Sequence, residues 1–298
     1  MDDSLAFLTS PAAVVLAGLW GAIWGSFFNV CIARVPKGLS VVRPGSHCMA
    51  CGKPVRAVDN IPILSYFLLR GRCRSCGARF SIRYALVELL TGLLAAAIFW
   101  KFVAADPDGA VAVRLARFSL YFAFAGALVV LAFIDLDTKL LPDVITLPAI
   151  PIFFLSAFGA HDVPWLERVI GVAAGYLFVR LIADFYYYVL KREGMGLGDG
   201  KLLALVGAVL GWKALPIVIF SGSFLGALIS IPLVVAARRR APAAAAPPAE
   251  SSGDEAGEPS LARVQVPFGP FLAMGALIDL FAGPAILRLL LGGFFDGN

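Results

Sequence analysis

Residues 194–212 read GMGLGDGKLLALVGAVLGW, a glycine-rich segment that runs directly into an apolar one. Four glycines surround a single carboxylate, Asp199. Glycine permits backbone conformations and close approaches that other residues do not, and it weakens a helix by roughly 1 kcal/mol relative to alanine. A flexible turn that ends in an acid therefore lies directly before an apolar segment. The role of this acid has to be inferred from the rest of the sequence.

The composition is that of an integral membrane protein. Of the 298 residues, 60% are hydrophobic, and the mean hydropathy is +0.86, whereas soluble globular proteins are usually about 45–50% apolar. The apolar runs are long and show little two-residue periodicity, which favours helices over a β-barrel. Since about 20 apolar residues cross a bilayer as a helix, the sequence predicts an all-α polytopic membrane protein with about eight transmembrane helices, at residues 12–33, 84–104, 117–134, 144–160, 166–190, 201–212, 214–237 and 265–292.

The basic residues predict the orientation in the membrane. Segment 34–83 carries ten Lys or Arg residues against one acid, Asp59, and loops of this kind stay in the cytoplasm. With eight spans, segments 135–143, 191–200 and 238–264 are also cytoplasmic, and both termini lie outside. The acidic N-terminus, MDDSLAFLTS, is followed by no small-residue cleavage site, so we interpret the first apolar run as a retained span. The net charge of +5 does not require a nucleic-acid partner, because the basic segment 34–83 can lie against anionic lipid.

The chain divides into five parts. A first transmembrane helix (1–33) is followed by a polar cytoplasmic insert (34–83) and a transmembrane region (84–237). Segment 238–264 contains APAAAAPPAESSGDEAGEPS at 241–260, which is too poor in large apolar residues to form a core and is predicted to be a disordered cytoplasmic linker. A last transmembrane helix and the C-terminus occupy 265–298.

Four cysteines of the insert have the spacing of a metal site. Cys48, Cys51, Cys73 and Cys76 form C-x2-C-x21-C-x2-C, and a glycine follows each pair. Two such pairs supply four thiolates to one tetrahedral Zn²⁺, and a site closed by four cysteines is structural rather than catalytic. Two disulfides or inert thiols are the alternatives, of which disulfides are disfavoured in the cytoplasm. The fifth cysteine, Cys31, is interpreted as a packing residue.

A second group of acids lies at the end of the third predicted span, where residues 133–143 read FIDLDTKLLPD. Asp135 and Asp137 end this span, while Pro142 and Asp143 begin the next one, as expected for a proline and an acid in a first helical turn. The predicted topology puts these acids and Asp199 at the same membrane face. Two carboxylates that share a site cannot both ionise easily, and such a pair can act as base and acid toward a water and a carbonyl oxygen.

Ordinary structural roles are the alternatives for these acids. Asp199 is equally explained as a helix N-cap, and Asp135 and Asp137 as solvated loop acids. Asp184 lies four residues after Arg180 and is expected to pair with it.

Two further acids stand in or near spans. Asp279 lies deep in the last span with no obvious partner, and Glu88 lies near the start of the second span, so both stay candidates.

Taken together, these motifs resemble the bacterial type IV prepilin leader peptidases, which are membrane aspartyl peptidases of the GxGD type. The GxGD motif is residues 196–199, with Gly196 and Gly198, and the D-x-D-x4-P-D motif is residues 135–143. The segments GSFFNVCIARVPKG (25–38), IPILSY (61–66) and RYALVELLTG (83–92) are also similar to the family, as are the cysteine pairs. The resemblance covers residues 20–280, and the motifs are specific in combination.

The resemblance implies an enzyme with two activities in the bacterial cytoplasmic (inner) membrane. Such an enzyme removes the basic leader of type IV prepilins and type II secretion pseudopilins after a glycine, at the cytoplasmic face. It then methylates the new N-terminus with S-adenosylmethionine. By motif position, the catalytic residues are Asp135 and Asp199, since the acid seven residues before the proline is the one shared by the wider family. Region 84–237 is then the peptidase region.

The residues that bind S-adenosylmethionine are not predicted, because the chain has no glycine-rich βα motif of a soluble methyltransferase. A secondary transporter, or an assembly factor of pili or secretion systems with a zinc docking module, is the alternative function.

Overall fold

The computed structural model describes residues 3–191, 196–240 and 267–295. In these residues it is all-helical and contains no β-strand, so the predicted fold class is confirmed. The α-helices are α1 (Asp3–Leu8), α2 (Pro11–Arg34), α3 (Leu64–Leu68), α4 (Arg83–Phe99), α5 (Val111–Thr138), α6 (Asp143–Ser156), α7 (Trp165–Leu190), α8 (Leu197–Leu210), α9 (Ala214–Arg240) and α10 (Gly269–Phe295). The predicted linker 241–260 lies outside the described residues.

Six helices in the described part of the chain are long and apolar enough to cross a membrane, fewer than the eight spans predicted. They are Pro11–Lys37, Arg83–Ala104, Val111–Thr138, Trp165–Val189, Ala214–Pro232 and Gly269–Leu289. The other two predicted spans correspond to α6 and α8, which have 14 residues each. A helix of that length extends about 21 Å, short of the roughly 30 Å hydrocarbon core. The predicted number of about eight is therefore approximate.

The short helix α8 lies inside the bundle. All of its residues from Leu202 to Val209 are buried. It packs against α7 backbone to backbone, because a Cβ atom added at Gly171 would lie 2.7 Å from the Gly207 oxygen, and one added at Gly175 would lie 2.6 Å from the Leu203 oxygen. Small residues four apart let membrane helices approach this closely. The neighbouring helices thus cover a segment that is too short to span alone.

The insert between α2 and α4 contains little regular structure. It has two 3₁₀ turns, Val35–Lys37 and Ala57–Asn60, and the short helix α3. Asp59, the only acid of segment 34–83, accepts two hydrogen bonds from the Arg74 guanidinium, which lowers the pKa of this carboxyl group. The side chain of Tyr66 packs edge-on against Phe80, with ring centroids 5.5 Å apart.

A lysine joins α4 to the last helix. The α4 helix ends in a π-helical turn, Trp100–Ala104, and the Nζ atom of Lys101 donates to the carbonyl oxygens of Leu280 and Phe281 at 2.7 and 2.8 Å. Pro284 lies four residues after Leu280 and has no N–H, so the Leu280 carbonyl cannot form its helical hydrogen bond. Lys101 supplies the missing donor.

This arrangement predicts a coupling between Lys101 and Pro284. Lys101→Met leaves the Leu280 carbonyl without a donor and should lower the thermal unfolding midpoint of the detergent-purified protein. In a Pro284→Ala background, where the amide of the introduced alanine supplies the helical donor, the same substitution should cost less, with a coupling of about 1 kcal/mol. Equal losses in both backgrounds would show that Lys101 does not replace the missing donor.

Candidate active site

Asp135 lies in the last turn of α5, which ends at Thr138, and its side chain is buried, with 5% exposed. One carboxylate oxygen, Oδ2, accepts a hydrogen bond from the backbone N–H of Gly269 at 3.0 Å. Gly269 is the first residue of α10, 134 positions later in the chain. The start of the last helix therefore meets the end of the third long one at this acid.

Asp137, two residues further along α5, has a different environment. Its Oδ1 atom lies 2.6 Å from Nη1 of Arg83, the first residue of α4, and its side chain is 44% exposed. The Nη2 atom of the same guanidinium donates to the Phe133 carbonyl oxygen at 3.1 Å. Asp137 is thus an ion-paired residue that connects α4 with the end of α5.

Asp143 begins α6, with Pro142 as its N-cap, as the sequence predicted. Its carboxylate forms an ion pair with the Nζ atom of Lys201 in α8. This contact fixes the start of α6 next to the first turn of α8.

Asp199 is the third residue of α8 and is half-buried. The helix begins four residues earlier than the predicted span 201–212. Its N-cap is Gly196, in an extended conformation, so the alternative that Asp199 is the N-cap is wrong. Gly198 lies inside the helix, where a Cβ atom would meet the Leu141 side chain at 3.2 Å. The first part of the glycine-rich turn, Gly194 and Met195, lies outside the described residues.

Asp135 and Asp199 differ from the other two acids of this group in their pairing. Among the described residues neither forms an ion pair, whereas Asp137 and Asp143 both do. Besides its burial, Asp199 experiences the negative charge of Asp135. When two carboxyl groups lie in one partly buried site, repulsion between their negative charges opposes ionisation of both. One of them therefore tends to hold a proton while the other is ionised. The arrangement can therefore offer one acid and one base to a bound group.

The other acids considered from the sequence do not join this pair. Asp184 forms the expected ion pair with Arg180, at 3.0 Å. Asp279 is buried in α10, and Lys101 is the charged group that acts on it. Glu88 accepts a hydrogen bond from the Ile63 N–H of the insert at 2.6 Å.

Sequence reasoning missed three partners at this site: Arg83, Lys201 and Gly269. They lie 54, 58 and 134 positions from the acids that they contact. No local pattern indicates such pairings.

The four cysteines of the insert come together. Their sulfur atoms all lie within 4.8 Å of one another, and the Sγ atoms of Cys48 and Cys76 are 3.8 Å apart. Four sulfurs about 2.3 Å from a central tetrahedral ion would be about 3.8 Å apart, whereas a disulfide bond is about 2.05 Å long. The arrangement therefore fits a tetrahedral metal ion rather than disulfides.

The two cysteine pairs form matching turns. In each, the first cysteine donates to the carbonyl of the residue five positions later and accepts from the glycine four positions later, at 2.8–2.9 Å. Gly52 and Gly77 have φ of +69° and +73°, a region that favours glycine. Backbone N–H groups of Cys51 and Ala50 lower the pKa of the Cys48 thiol to about 6. The pKa of Cys76 is raised to about 11, because burial and hydrogen bonds with the other three thiols outweigh its backbone hydrogen bond at Ala78.

An all-helical membrane protein with two acids that no cation of the described residues pairs fits a membrane aspartyl peptidase, and the comparisons with known proteins agree with this class. Residues 19–102 match the bacterial peptidase A24 N-terminal domain, and residues 122–231 match the type IV leader peptidase family. The chain belongs to the type IV leader peptidase family, which confirms the resemblance predicted from its motifs.

Three relatives are named prepilin leader peptidase/N-methyltransferase. The protein from Neisseria gonorrhoeae is 38% identical over 76% of this chain and 84% of its own length. The protein from Myxococcus xanthus is 34% identical over 97% of this chain and 96% of its own length. The protein from Aeromonas hydrophila is 38% identical over 94% of this chain and 87% of its own length. No solved structure gives a significant match.

Proposed function

We propose that this protein cleaves the basic leader from type IV prepilins, and from the pseudopilins of type II secretion, and then methylates the new N-terminus. Asp135 and Asp199 are the catalytic residues of the cleavage. The observation that carries this proposal is how the acids are paired among the described residues: Asp137 binds Arg83 and Asp143 binds Lys201, whereas Asp135 and Asp199 bind no cation there. Unpaired acids in a membrane protein are costly and are usually functional.

The chemistry follows from two carboxyl groups that share one proton. The ionised carboxylate removes a proton from a water molecule, whose oxygen attacks the carbonyl carbon of the scissile peptide bond. The protonated partner donates its proton to the carbonyl oxygen. When the tetrahedral intermediate collapses, the carboxyl group that took the water's proton gives it to the leaving nitrogen as the C–N bond breaks. The other carboxylate takes a hydroxyl proton from the intermediate as the carbonyl re-forms, so the pair again holds one proton. Acid and base catalysis of this kind contributes roughly 10²- to 10⁴-fold to a rate.

The site lies at the cytoplasmic face of the bacterial inner membrane, and both termini lie outside. The acids stand at the same end of the helices as the basic insert, since Arg83, which ends the insert, binds Asp137, and basic segments stay in the cytoplasm. A prepilin carries a basic leader before a hydrophobic helix, so its scissile bond lies at this interface.

The methyl donor is S-adenosylmethionine, and its binding residues stay unassigned. A cavity of about 260 Å³ is lined by Asp162, Glu167, Lys213, Asp279 and Gly283, among others. Gly283 lies 14 residues along α10 from Gly269, or about 21 Å from the Asp135 end. The amine to be methylated arises at Asp135 and Asp199, so this cavity does not fit the cofactor.

Zinc is the metal that the cysteines of the insert hold. Cys48, Cys51, Cys73 and Cys76 fill all four positions of a tetrahedron and leave none for a substrate, so the ion is structural. When bound, it supplies folding free energy to a segment that has few contacts of its own.

If Asp135 and Asp199 are the catalytic pair, replacing either one should abolish prepilin cleavage, whereas replacing Asp137 should not. Asp135→Asn and Asp199→Asn should each lower prepilin cleavage by at least about 10³-fold, since each removes one partner of the acid–base pair. Asp137→Asn, the matched control two residues away, should keep activity within about tenfold, because Asp137 acts through its ion pair. Cleavage by purified protein in liposomes is followed by mass spectrometry of the mature N-terminus.

Two results would contradict this assignment. If both folded variants still cut, or if Asp137→Asn is as inactive as Asp135→Asn, the catalytic pair is wrong. If the folded wild type cuts no prepilin offered, the transporter and assembly-factor alternatives gain support.

The zinc assignment has a separate test. Elemental analysis of the purified protein should give one zinc ion per chain, and Cys48→Ser should lose it and expose the insert to trypsin at its many basic residues. Cys31→Ser, which changes the cysteine outside the cluster, should keep both the zinc and the protection. A wild type without metal, or equal loss in both variants, would refute the site.

A further inference from the structure

The hydrogen bond between Gly269 and Asp135 is the contact through which α10 reaches the proposed site. Both groups are buried, and the N–H to Oδ2 distance between heavy atoms is 3.0 Å. The first four N–H groups of a helix have no partner within the helix. The N–H of Gly269 begins α10, and it is directed at the carboxylate instead of at a capping side chain.

The same position has no room for a side chain. A Cβ atom added at Gly269 would lie 2.6 Å from Oδ2 and 3.2 Å from Cγ of Asp135. Such a distance lies far inside van der Waals contact, so any other residue at 269 must displace either the carboxylate or the helix.

The helix cannot easily move away, because it is held further along. A Cβ atom added at Gly275 would lie 2.5 Å from the Val218 carbonyl oxygen of α9, which shows how closely α10 packs there. Leu272 is fully buried, and Lys101 binds the carbonyls of Leu280 and Phe281. A side chain at 269 would therefore act mainly on Asp135.

We propose that Gly269 is a positioning residue for Asp135, an inference that rests on the proposed function. Its N–H holds Oδ2 in one orientation, and its lack of a side chain keeps the carboxylate in place, so that Oδ1 is left for the reacting water. Hydrogen bonds to an ionised acceptor are roughly twice as strong as those between neutral groups. The Gly269 N–H thus favours the ionised form of Asp135, so Asp135 acts as the base and Asp199 as the acid.

The test compares Gly269→Ala with Gly275→Ala in the full-length, zinc-loaded protein. The Gly275 variant is the matched control: it adds the same methyl group to the same helix at a comparably tight contact, but about 9 Å further along α10. The measurements are kcat and KM for prepilin cleavage, and methyl transfer from S-adenosylmethionine to a pilin that has already been cleaved.

A misplacement of about 1 Å can cost roughly 10²-fold in rate. Gly269→Ala should therefore lower kcat for cleavage by about 10²-fold, with KM within about threefold and methyl transfer retained. Gly275→Ala should lower the unfolding midpoint without a comparable loss of kcat. Wild-type kcat in Gly269→Ala, equal loss of cleavage and methyl transfer, or an equal loss of kcat in Gly275→Ala would each overturn the proposal.

A second measurement does not need activity. If the methyl group that Gly269→Ala introduces presses on the carboxylate, this substitution should lower the unfolding midpoint less in an Asp135→Ala background than in the wild type. Equal shifts would overturn the contact, even where the single variant is poorly folded. A wild type that cuts no prepilin would overturn the proposed function together with this role. A wild type that cuts, beside an equally active Gly269→Ala, would overturn the role of Gly269 alone.

Discussion

The backbone contact between α7 and α8 is the constraint on which the rest of the site depends. At Gly171 and Gly207 the two helices approach so closely that neither position has room for a Cβ atom. This contact buries a helix of 14 residues, which is too short to cross a bilayer alone. Because the first turn of α8 carries Asp199 and Lys201, the position of one proposed catalytic acid follows from the packing of glycines two or more turns away.

The acids near this turn differ in their partners, and this difference separates Asp137 and Asp143 from the two proposed catalytic acids. Asp137 and Asp143 each bind a cation, and each ion pair joins two helices: α5 with α4, and α6 with α8. Asp135 instead accepts a hydrogen bond from one backbone N–H of α10. The ion pairs thus hold the helices of the site together, and in the proposed chemistry Asp135 and Asp199 share one proton.

Much of this could be predicted from the sequence, but only where the information is local. The cysteine spacing predicted a four-cysteine cluster, and the four sulfurs lie close together in the structure. The two acid motifs pointed to Asp135 and Asp199 as candidates. The choice between Asp135 and Asp137 came from family resemblance, and the ion pair that distinguishes Asp137 involves Arg83, 54 positions away. Hydropathy suggested eight spans because it cannot distinguish a short buried helix such as α8 from a spanning one, and it placed the start of α8 four residues late.

The central claim is that Asp135 and Asp199 act together on one scissile bond, and binding of a transition-state analogue tests it most directly. Such analogues bind roughly 10²- to 10⁸-fold more tightly than substrates. A prepilin peptide with a tetrahedral hydroxyl carbon in place of the scissile carbonyl should bind the wild type at least about 10²-fold more tightly than the unmodified peptide. This advantage should disappear in both Asp135→Asn and Asp199→Asn. An analogue that binds no better than the peptide, or an advantage that survives either substitution, would contradict the account.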